Sequence, residues 1–344
     1  MAIISSNVNL TLAEWAKRRN PDGSAATIAN ILSQQNEILD DQVYVEANGT
    51  THHRTTVATG LPTVYWRMFN QGIPASSATT AQVDEGIGMM EKRSEVDCAL
   101  ADLGGDAARV RLGESRLSLE AMYQEQTSTL IYGDSQLTPN KFMGLSPRYS
   151  DLSADNAQNI LSCNGSGSDN TSIWLIGWGD ETVHMIFPKG SNAGLEQRDL
   201  GEQTVYDVNG VSNTRMQAYV DWYCMKSGLV VKDWRYAVRI CNIDVSDAKA
   251  FTNNQALTDY QYNILHQMTN AVYRIENLGM CRPAFYVNRT IHAALSRMAM
   301  EKFSSVLAFQ SGISQFGTPR RFMSFMDIPI RRCDALLNTE TAVA

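Results

Sequence analysis

The amino-acid sequence predicts an α+β fold, and three observations lead to that class. Two long stretches, residues 42–98 and 172–244, have the features of extended strands and hairpins rather than of helices. Strong helical periodicity is concentrated late in the chain, between residues 256 and 308. The composition, with 44% hydrophobic and 19% charged residues, is that of an ordinary globular chain, and 344 residues suggest about two lobes.

Charge and targeting signals argue against several classes of protein. The formal net charge of −7 does not suit a surface devoted mainly to nucleic acid. The first residues show no signal-peptide pattern and no run of about 18 apolar residues exists, so no membrane association is expected. The six cysteines include no CxxC pair, which favours free buried thiols in a reducing cytoplasm.

The first third of the chain is predicted to be an arm followed by an extended excursion. Residues 1–41 form the N-terminal arm, in which a short helix is stopped by Pro21 and Gly23. Residues 42–98 lack helical periodicity until near their end and are rich in Thr, Val and Gly. We therefore expect a strand out, a tip, and a strand back through GIGMMEKRSEVDCAL, residues 86–100.

The stretch HHRTTVATGLPTVYWRMFNQGIP, residues 52–74, contains the densest apolar cluster of this region: Val64, Tyr65, Trp66, Met68 and Phe69. A two-stranded ribbon is marginal in water, and burying each large aromatic ring contributes a few kcal/mol. These side chains therefore need a place to be buried. That place is a neighbouring molecule if the ribbon projects, or the chain's own core if the ribbon folds back, and the pattern leaves both open.

The middle of the chain alternates between one helix and paired strands. A helix is predicted over residues 112–133, with Leu112, Leu119, Met122, Tyr123 and Leu130 on one face. Residues 172–188 are predicted to form two strands with Gly179-Asp180 at the turn. Residues 216–244 are predicted to form a long hairpin around Lys226-Ser227-Gly228.

The last third is predicted to be largely helical. A helix over 256–278 stops at Gly279, and the strand RPAFYVN follows. The next helix is capped by Asn288 or Thr290. The segment FMSFMDIPIRRCDAL near the end is strand-like.

A search for catalytic patterns finds no phosphate loop, dinucleotide fingerprint, HExxH or GxSxG motif. His52 and His53 are neighbours, so on a strand they face opposite ways and cannot chelate one metal together. No catalytic residue, cofactor or metal is therefore assigned, and the chain is expected not to be an enzyme. A soluble α+β enzyme with an unrecognised Cys or His site remains the alternative.

Several segments together resemble the major capsid proteins of tailed bacteriophages. PNKFMGLSP follows the long helix, as a Gly-Leu segment follows the family's spine helix. ENLGMCRPAFYVNRTIHAAL is similar to the family's axial strand and helix, and FMSFMDIPIRRCDAL to the strand after them. IWLIGWGDETVHMIFPKG and the stretch from 216 to 244 resemble its hairpin block. The likeness is closest to short-tailed phages of the epsilon-fifteen and Bordetella-phage kind, although the hairpin block precedes the axial elements here, which suggests a permuted order.

The resemblance implies a tailed-phage and herpesvirus type of capsid fold in four parts. These are the arm 1–41, an extended loop 42–98, a peripheral domain 99–244 with the spine helix 112–133 and long hairpins, and an axial domain with the C-terminal segment 245–344. The loop would lie across an adjacent subunit. The implied interface residues are Trp15, Tyr65, Trp66, Met68 and Phe69.

The resemblance also implies the function of a shell protein. Copies of the chain would form hexamers and pentamers of an icosahedral shell that encloses double-stranded DNA, which they contact without sequence preference. The implied partners are a separate scaffolding protein, a portal and a decoration protein, and the implied location is the virion capsid after synthesis in the bacterial cytoplasm. A nanocompartment shell of the same architecture, which encloses protein cargo, is a further alternative.

Overall fold

The computed structural model describes residues 33–103, 106–165, 167–206, 215–250, 258–300, 307–313 and 319–343, where helices and strands are mixed, as predicted. In chain order the elements are α1 (Ile38–Asp41), β1 (Tyr44–Glu46), β2 (His52–Gly60), β3 (Thr79–Gly86), β4 (Gly88–Asp97), α2 (Cys98–Asp102), α3 (Ala107–Tyr132), β5 (Ile160–Ser162), β6 (Asn170–Trp178), β7 (Val183–Phe187), β8 (Leu195–Tyr206), β9 (Arg215–Val231), β10 (Ala237–Asp244), α4 (Val245–Lys249), α5 (Asp259–Arg274), β11 (Arg282–Val287), α6 (Arg289–Met300), β12 (Leu307–Ile313), β13 (Pro319–Phe325) and β14 (Ile328–Arg332).

The chain divides into two compact units, each assembled from separate segments. The first unit takes the described parts of Met1–Gln34, Met89–Gln126 and Gly194–Lys226. The second takes Gln35–Gly88, Thr127–Ala193 and the described parts of Ser227–Ala344. The helix α3 and the strand β9 each begin in the first unit and end in the second.

The first unit is built on the antiparallel pair β8–β9 and most of α3. The register runs from Leu195 opposite Met225 to Tyr206 opposite Arg215. Met122 of α3 is buried in one cluster with Tyr223 and Met225 of β9. The same cluster packs against Leu119, whereas Leu112 and Tyr123, predicted to share its face, are exposed in the subunit.

The second unit is organised around β6, which pairs antiparallel with β10 on one edge and with β11 on the other. Every residue of β6 is buried, because its run from 173 to 176 and its two tryptophans, Trp174 and Trp178, are apolar on both faces. The sheet continues from β11 through β14 and β13 to β12. β5 pairs with β10, and β1 and the end of β9 pair with β7.

Two late helices are present as predicted, and each begins at a side-chain cap, but their predicted ends are wrong: α5 ends at Arg274 and not at Gly279, and residues 307–308, within the stretch predicted to be helical, belong to strand β12. Thr258 and Gln261 form a capping box, in which Thr258 Oγ1 accepts from the Gln261 amide and Gln261 Oε1 accepts from the Thr258 amide. Asn288 Oδ1 accepts from the Ile291 amide at 2.8 Å, so Asn288 caps α6 as predicted. The apolar face of α5, with Ile264 and Met268, belongs to the main core.

Two predicted hairpins are wrong. β9 runs unbroken through Lys226-Ser227-Gly228, and its true hairpin partner is the preceding strand β8. Gly228 marks a close approach instead of a turn, because a Cβ there would lie 2.6 Å from the carbonyl oxygen of Gly86. β6 and β7 meet only at Trp178 and Val183, in parallel, because β10 and β11 occupy the edges of β6.

The strand that returns from the excursion also differs from the prediction. It is β3, and the following strand β4 pairs with β9. The predicted strand-like segment near the end is a hairpin of β13 and β14, with Met326 and Asp327 at its turn in the left-handed region, at φ 49° and 65°.

A buried ion pair holds the C-terminal segment in the second unit. Arg239 donates to Glu340 across 2.9 Å, and the two side chains are only 4% and 6% exposed. Arg239 also donates to Ser172 Oγ at 3.1 Å and to the Tyr149 carbonyl at 2.8 Å. The hydroxyls of Ser172 and Tyr132 donate to the Glu340 carboxylate. This network satisfies both charges, as a buried pair requires.

We predict that Glu340→Ala lowers the free energy of unfolding of the isolated subunit by about 3 to 5 kcal/mol, because it leaves the buried Arg239 charge uncompensated. Urea unfolding of both proteins measures the difference. Glu276→Ala is the matched control, since Glu276 pairs with Arg235 at the surface and its loss should cost less than about 1 kcal/mol. Equal losses in the two variants would contradict the prediction.

Candidate assembly surface

The excursion predicted from the sequence is a two-stranded sheet made of β2 and β3 alone. The register places Arg54 directly opposite Asp84, and the guanidinium donates to both carboxylate oxygens at 2.6 and 2.7 Å. This hydrogen bonding lowers the pKa of Asp84. Both side chains are about half exposed, so the pair defines the register of the hairpin more than it stabilises the fold.

A second, more buried ion pair anchors the base of this hairpin. Arg148 donates to Glu85 through Nη1 and Nη2 at 2.6 and 2.7 Å, and the side chains are 19% and 7% exposed. Arg148 also donates to the carbonyls of Gly144 and Met143. Bidentate pairing of this kind is strong and directional. The pair ties the C-terminal end of β3 to the connector that follows α3.

Two histidine rings pack together beside that anchor. His53 of β2 and His184 of β7 lie edge to face, with ring centroids 6.0 Å apart. Burial, then the His53 ring and Lys232, lower the pKa of His184 to about 4, and burial also lowers the pKa of His53. Both rings are therefore neutral at pH 7. His52 faces the other way and is exposed, as alternation along a strand predicts.

The tip of the hairpin, residues 61–78, presents its apolar side chains to solvent. Trp66 and Phe69 have relative exposures of 103% and 98%, Met68 of 75% and Tyr65 of 44%. Three further exposed apolar residues of the tip, Leu61, Val64 and Ile73, were not among the predicted interface residues. Val64 adjoins the aromatic cluster, whereas Leu61 and Ile73 are separated from it in the sequence.

Local hydrogen bonds give the tip a defined shape. Ser76 Oγ donates to the Thr63 carbonyl at 2.7 Å and closes the loop, and the Gln71 amide donates to the Met68 carbonyl at 3.3 Å. Asn70 sits in the left-handed region at φ 63°, which asparagine tolerates better than most residues. The four predicted interface residues of the tip thus lie together on one loop. Trp15, the fifth, lies outside the described residues.

The described residues give no support to a catalytic or metal centre. No group of three or more His, Cys, Asp or Glu side chains within them could hold a metal ion. Burial raises the pKa of Cys163 and of Cys333 to about 12, so these thiols are protonated at neutral pH. No helix in the described part of the chain is long and apolar enough to cross a membrane.

Comparison with known proteins points to one family. The family model described as Major capsid protein GP7 matches residues 20–344. A chain in the structure of bacteriophage epsilon15 is 32% identical, with 100% of this chain and 99% of that chain covered and a TM-score of 0.73. No curated protein sequence matches.

Two further solved structures are less similar to this chain. The bacteriophage JBD30 capsid is 10% identical, with 90% of this chain and 93% of that chain covered and a TM-score of 0.49. The holo-SrpI encapsulin complex of Synechococcus elongatus PCC 7942 is 11% identical, with 72% of this chain and 100% of that chain covered and a TM-score of 0.46.

The burial of His184 predicts a pH dependence of stability. An unfolded histidine titrates near pH 6.5, so between about pH 6.5 and 4 the unfolded chain binds more protons at His184 than the folded chain does. The free energy of unfolding should therefore fall as the pH is lowered through this window, by up to about 3 kcal/mol from His184. His184→Leu removes this titration, so urea unfolding at a series of pH values should show a flatter profile. An unchanged slope in the variant would contradict the assignment.

Proposed function

The chain belongs to the major capsid protein GP7 family of tailed bacteriophages, and from that premise we propose that its copies assemble into hexamers and pentamers of an icosahedral shell around double-stranded DNA. The observation that carries the proposal is the match over nearly the whole chain to one family of shell proteins. The family is structural, so the catalytic alternative is set aside.

The tip of the β2–β3 hairpin is the part of the subunit proposed to bind a neighbouring copy. Its contact residues are Tyr65, Trp66, Met68 and Phe69. Contiguous exposed apolar side chains mark interaction surfaces, and aromatic residues are enriched where such surfaces bind most strongly. Burying each large apolar side chain contributes about 1.5 to 3 kcal/mol.

The construction of the hairpin supports this role. Its base is fixed by the Glu85–Arg148 pair and by the packed rings of His53 and His184, while its tip is shaped by the Ser76–Thr63 hydrogen bond. A contact surface that is already ordered loses less conformational entropy when it binds. The hairpin therefore presents its exposed rings on a loop that is held at its base and closed across its tip.

The four-part division of the chain belongs to the same proposal. The arm 1–41 would bind a neighbour through Trp15, the loop 42–98 would lie across it, and 99–244 and 245–344 would serve as peripheral and axial domains. Each copy would meet its neighbours through heterologous contacts that close into rings.

The further partners follow from the same role. The chain would be made in the host bacterial cytoplasm, assemble around a separate scaffolding protein, and join a portal and a possible decoration protein. With a net charge of −7, its contact with packaged DNA would be weak, non-specific and dependent on salt.

We predict that Trp66→Ala combined with Phe69→Ala leaves a folded, soluble subunit that no longer assembles, because both rings are outside the subunit's own fold. Electron microscopy and sedimentation measure assembly, and thermal unfolding of the isolated subunit should change by less than about 0.5 kcal/mol.

The matched control is Trp66→Phe combined with Phe69→Leu, which keeps most of the apolar area and should still give shells. Loss of the fold in the double alanine variant would place the rings in the subunit's own core. Normal shells in that variant would show that the tip is not needed for assembly.

A further inference from the structure

A pocket of about 450 Å³ lies at the base of the β2–β3 hairpin, within the second unit. Its apolar lining includes Val83, Val231 and Trp234, and its polar lining includes Glu85, Arg148 and Asp155. Val83 is 40% exposed although it is apolar. A volume of this order is typical of pockets that accept a substantial apolar group.

The charges that line the pocket are not balanced by the residues that the structure describes. Glu85 is neutralised by its bidentate pair with Arg148. Asp155 is exposed and forms no ion pair with any other described residue. The pocket therefore combines an apolar and aromatic lining with one exposed negative charge, that of Asp155, which no described residue pairs with.

The hairpin tip carries the complementary set of groups. Between Arg54 and Asp84 the only charged residue is Arg67, which lies between the exposed side chains of Trp66 and Met68. Arg67 forms no ion pair with the described residues; its one hydrogen bond is a long one, 3.4 Å, to the Gln71 carbonyl. Tip and pocket thus each present apolar surface with a single opposite charge.

A second cleft in the same unit fits the tip less well. It lies at the C-terminal end of α5, has a volume of about 650 Å³, and is lined by Tyr273, Arg274 and Met326. Arg274 is exposed, and Glu276, which also lines this cleft, is already paired with Arg235. Arg67 would meet a like charge there, which opposes binding.

We propose that the pocket at the hairpin base of one copy receives the tip of a second copy, with Arg67 beside Asp155 and the rings of Trp66 and Phe69 against Trp234. The inference rests on the proposed docking of the tip onto a neighbour. Aromatic rings in such contacts pair edge to face or offset, and the single charge pair selects this pocket among apolar surfaces.

Cross-linking tests the contact directly. Arg67→Cys and Asp155→Cys are made as separate variants, co-assembled into shells, and treated with a short bismaleimide that joins two thiols. A covalent dimer containing one chain of each variant is expected, at about ten times the amount given by either variant alone, because only neighbouring thiols are joined. The matched control, Arg67→Cys with Arg274→Cys, should give only the background. A cross-linked dimer of Arg67→Cys with Arg274→Cys overturns the pocket assignment. The absence of a dimer with both Asp155→Cys and Arg274→Cys overturns it as well.

Charge reversal supplies a second test, in case the cysteine variants assemble poorly. Arg67→Glu and Asp155→Lys should each lower the yield of sedimenting shells about tenfold, and the two together should restore it to within about twofold. Unchanged yields in the single variants, or no recovery in the double variant, overturn the proposal. All these variants keep Trp66 and Phe69, so shells without the cross-link reject the pocket alone. Whether the tip binds a neighbouring copy at all is tested separately, by the variant that combines Trp66→Ala with Phe69→Ala.

Discussion

The structure depends on one constraint, which is that large apolar side chains are most stable when they are buried away from water. In the described part of the chain the β2–β3 hairpin pairs with no third strand, and Trp66 and Phe69 at its tip contact no core. Ion pairing and ring packing at Glu85 and His53 hold the base of the hairpin in place. An anchored base with an exposed apolar tip suits a subunit that folds by itself and buries the tip only when it binds a neighbouring copy.

Much of the fold could be predicted because its signals are local. The helices α5 and α6 follow the 3.6-residue period and begin at caps that sequence reveals. The hairpins of the middle were misassigned because pairing in a large sheet is decided by contacts distant in sequence. Gly228 looked like a turn residue, yet its missing side chain makes room for the Gly86 carbonyl, and the polar strand β8 carried no apolar alternation to reveal it.

The exposed hairpin tip was predictable in part, and for a similar reason. The aromatic cluster from Tyr65 to Phe69 is visible in sequence, and the structure places it on one loop. The groups that orient the loop were not visible, because Arg148 and His184 are distant in sequence from their partners Glu85 and His53. An arginine and a histidine in isolation are ordinary residues, and only three-dimensional contact makes them anchors of the hairpin.

Oxidative footprinting of side chains, read by mass spectrometry, tests the central claim most directly. Hydroxyl radicals should oxidise Trp66 and Met68 rapidly in the unassembled subunit and slowly in the assembled shell, because a second copy covers them there. Trp174, buried in the core of the subunit, serves as the internal reference and should be protected in both states. Equal oxidation of Trp66 before and after assembly would contradict the account, as would protection of Trp66 in the unassembled subunit.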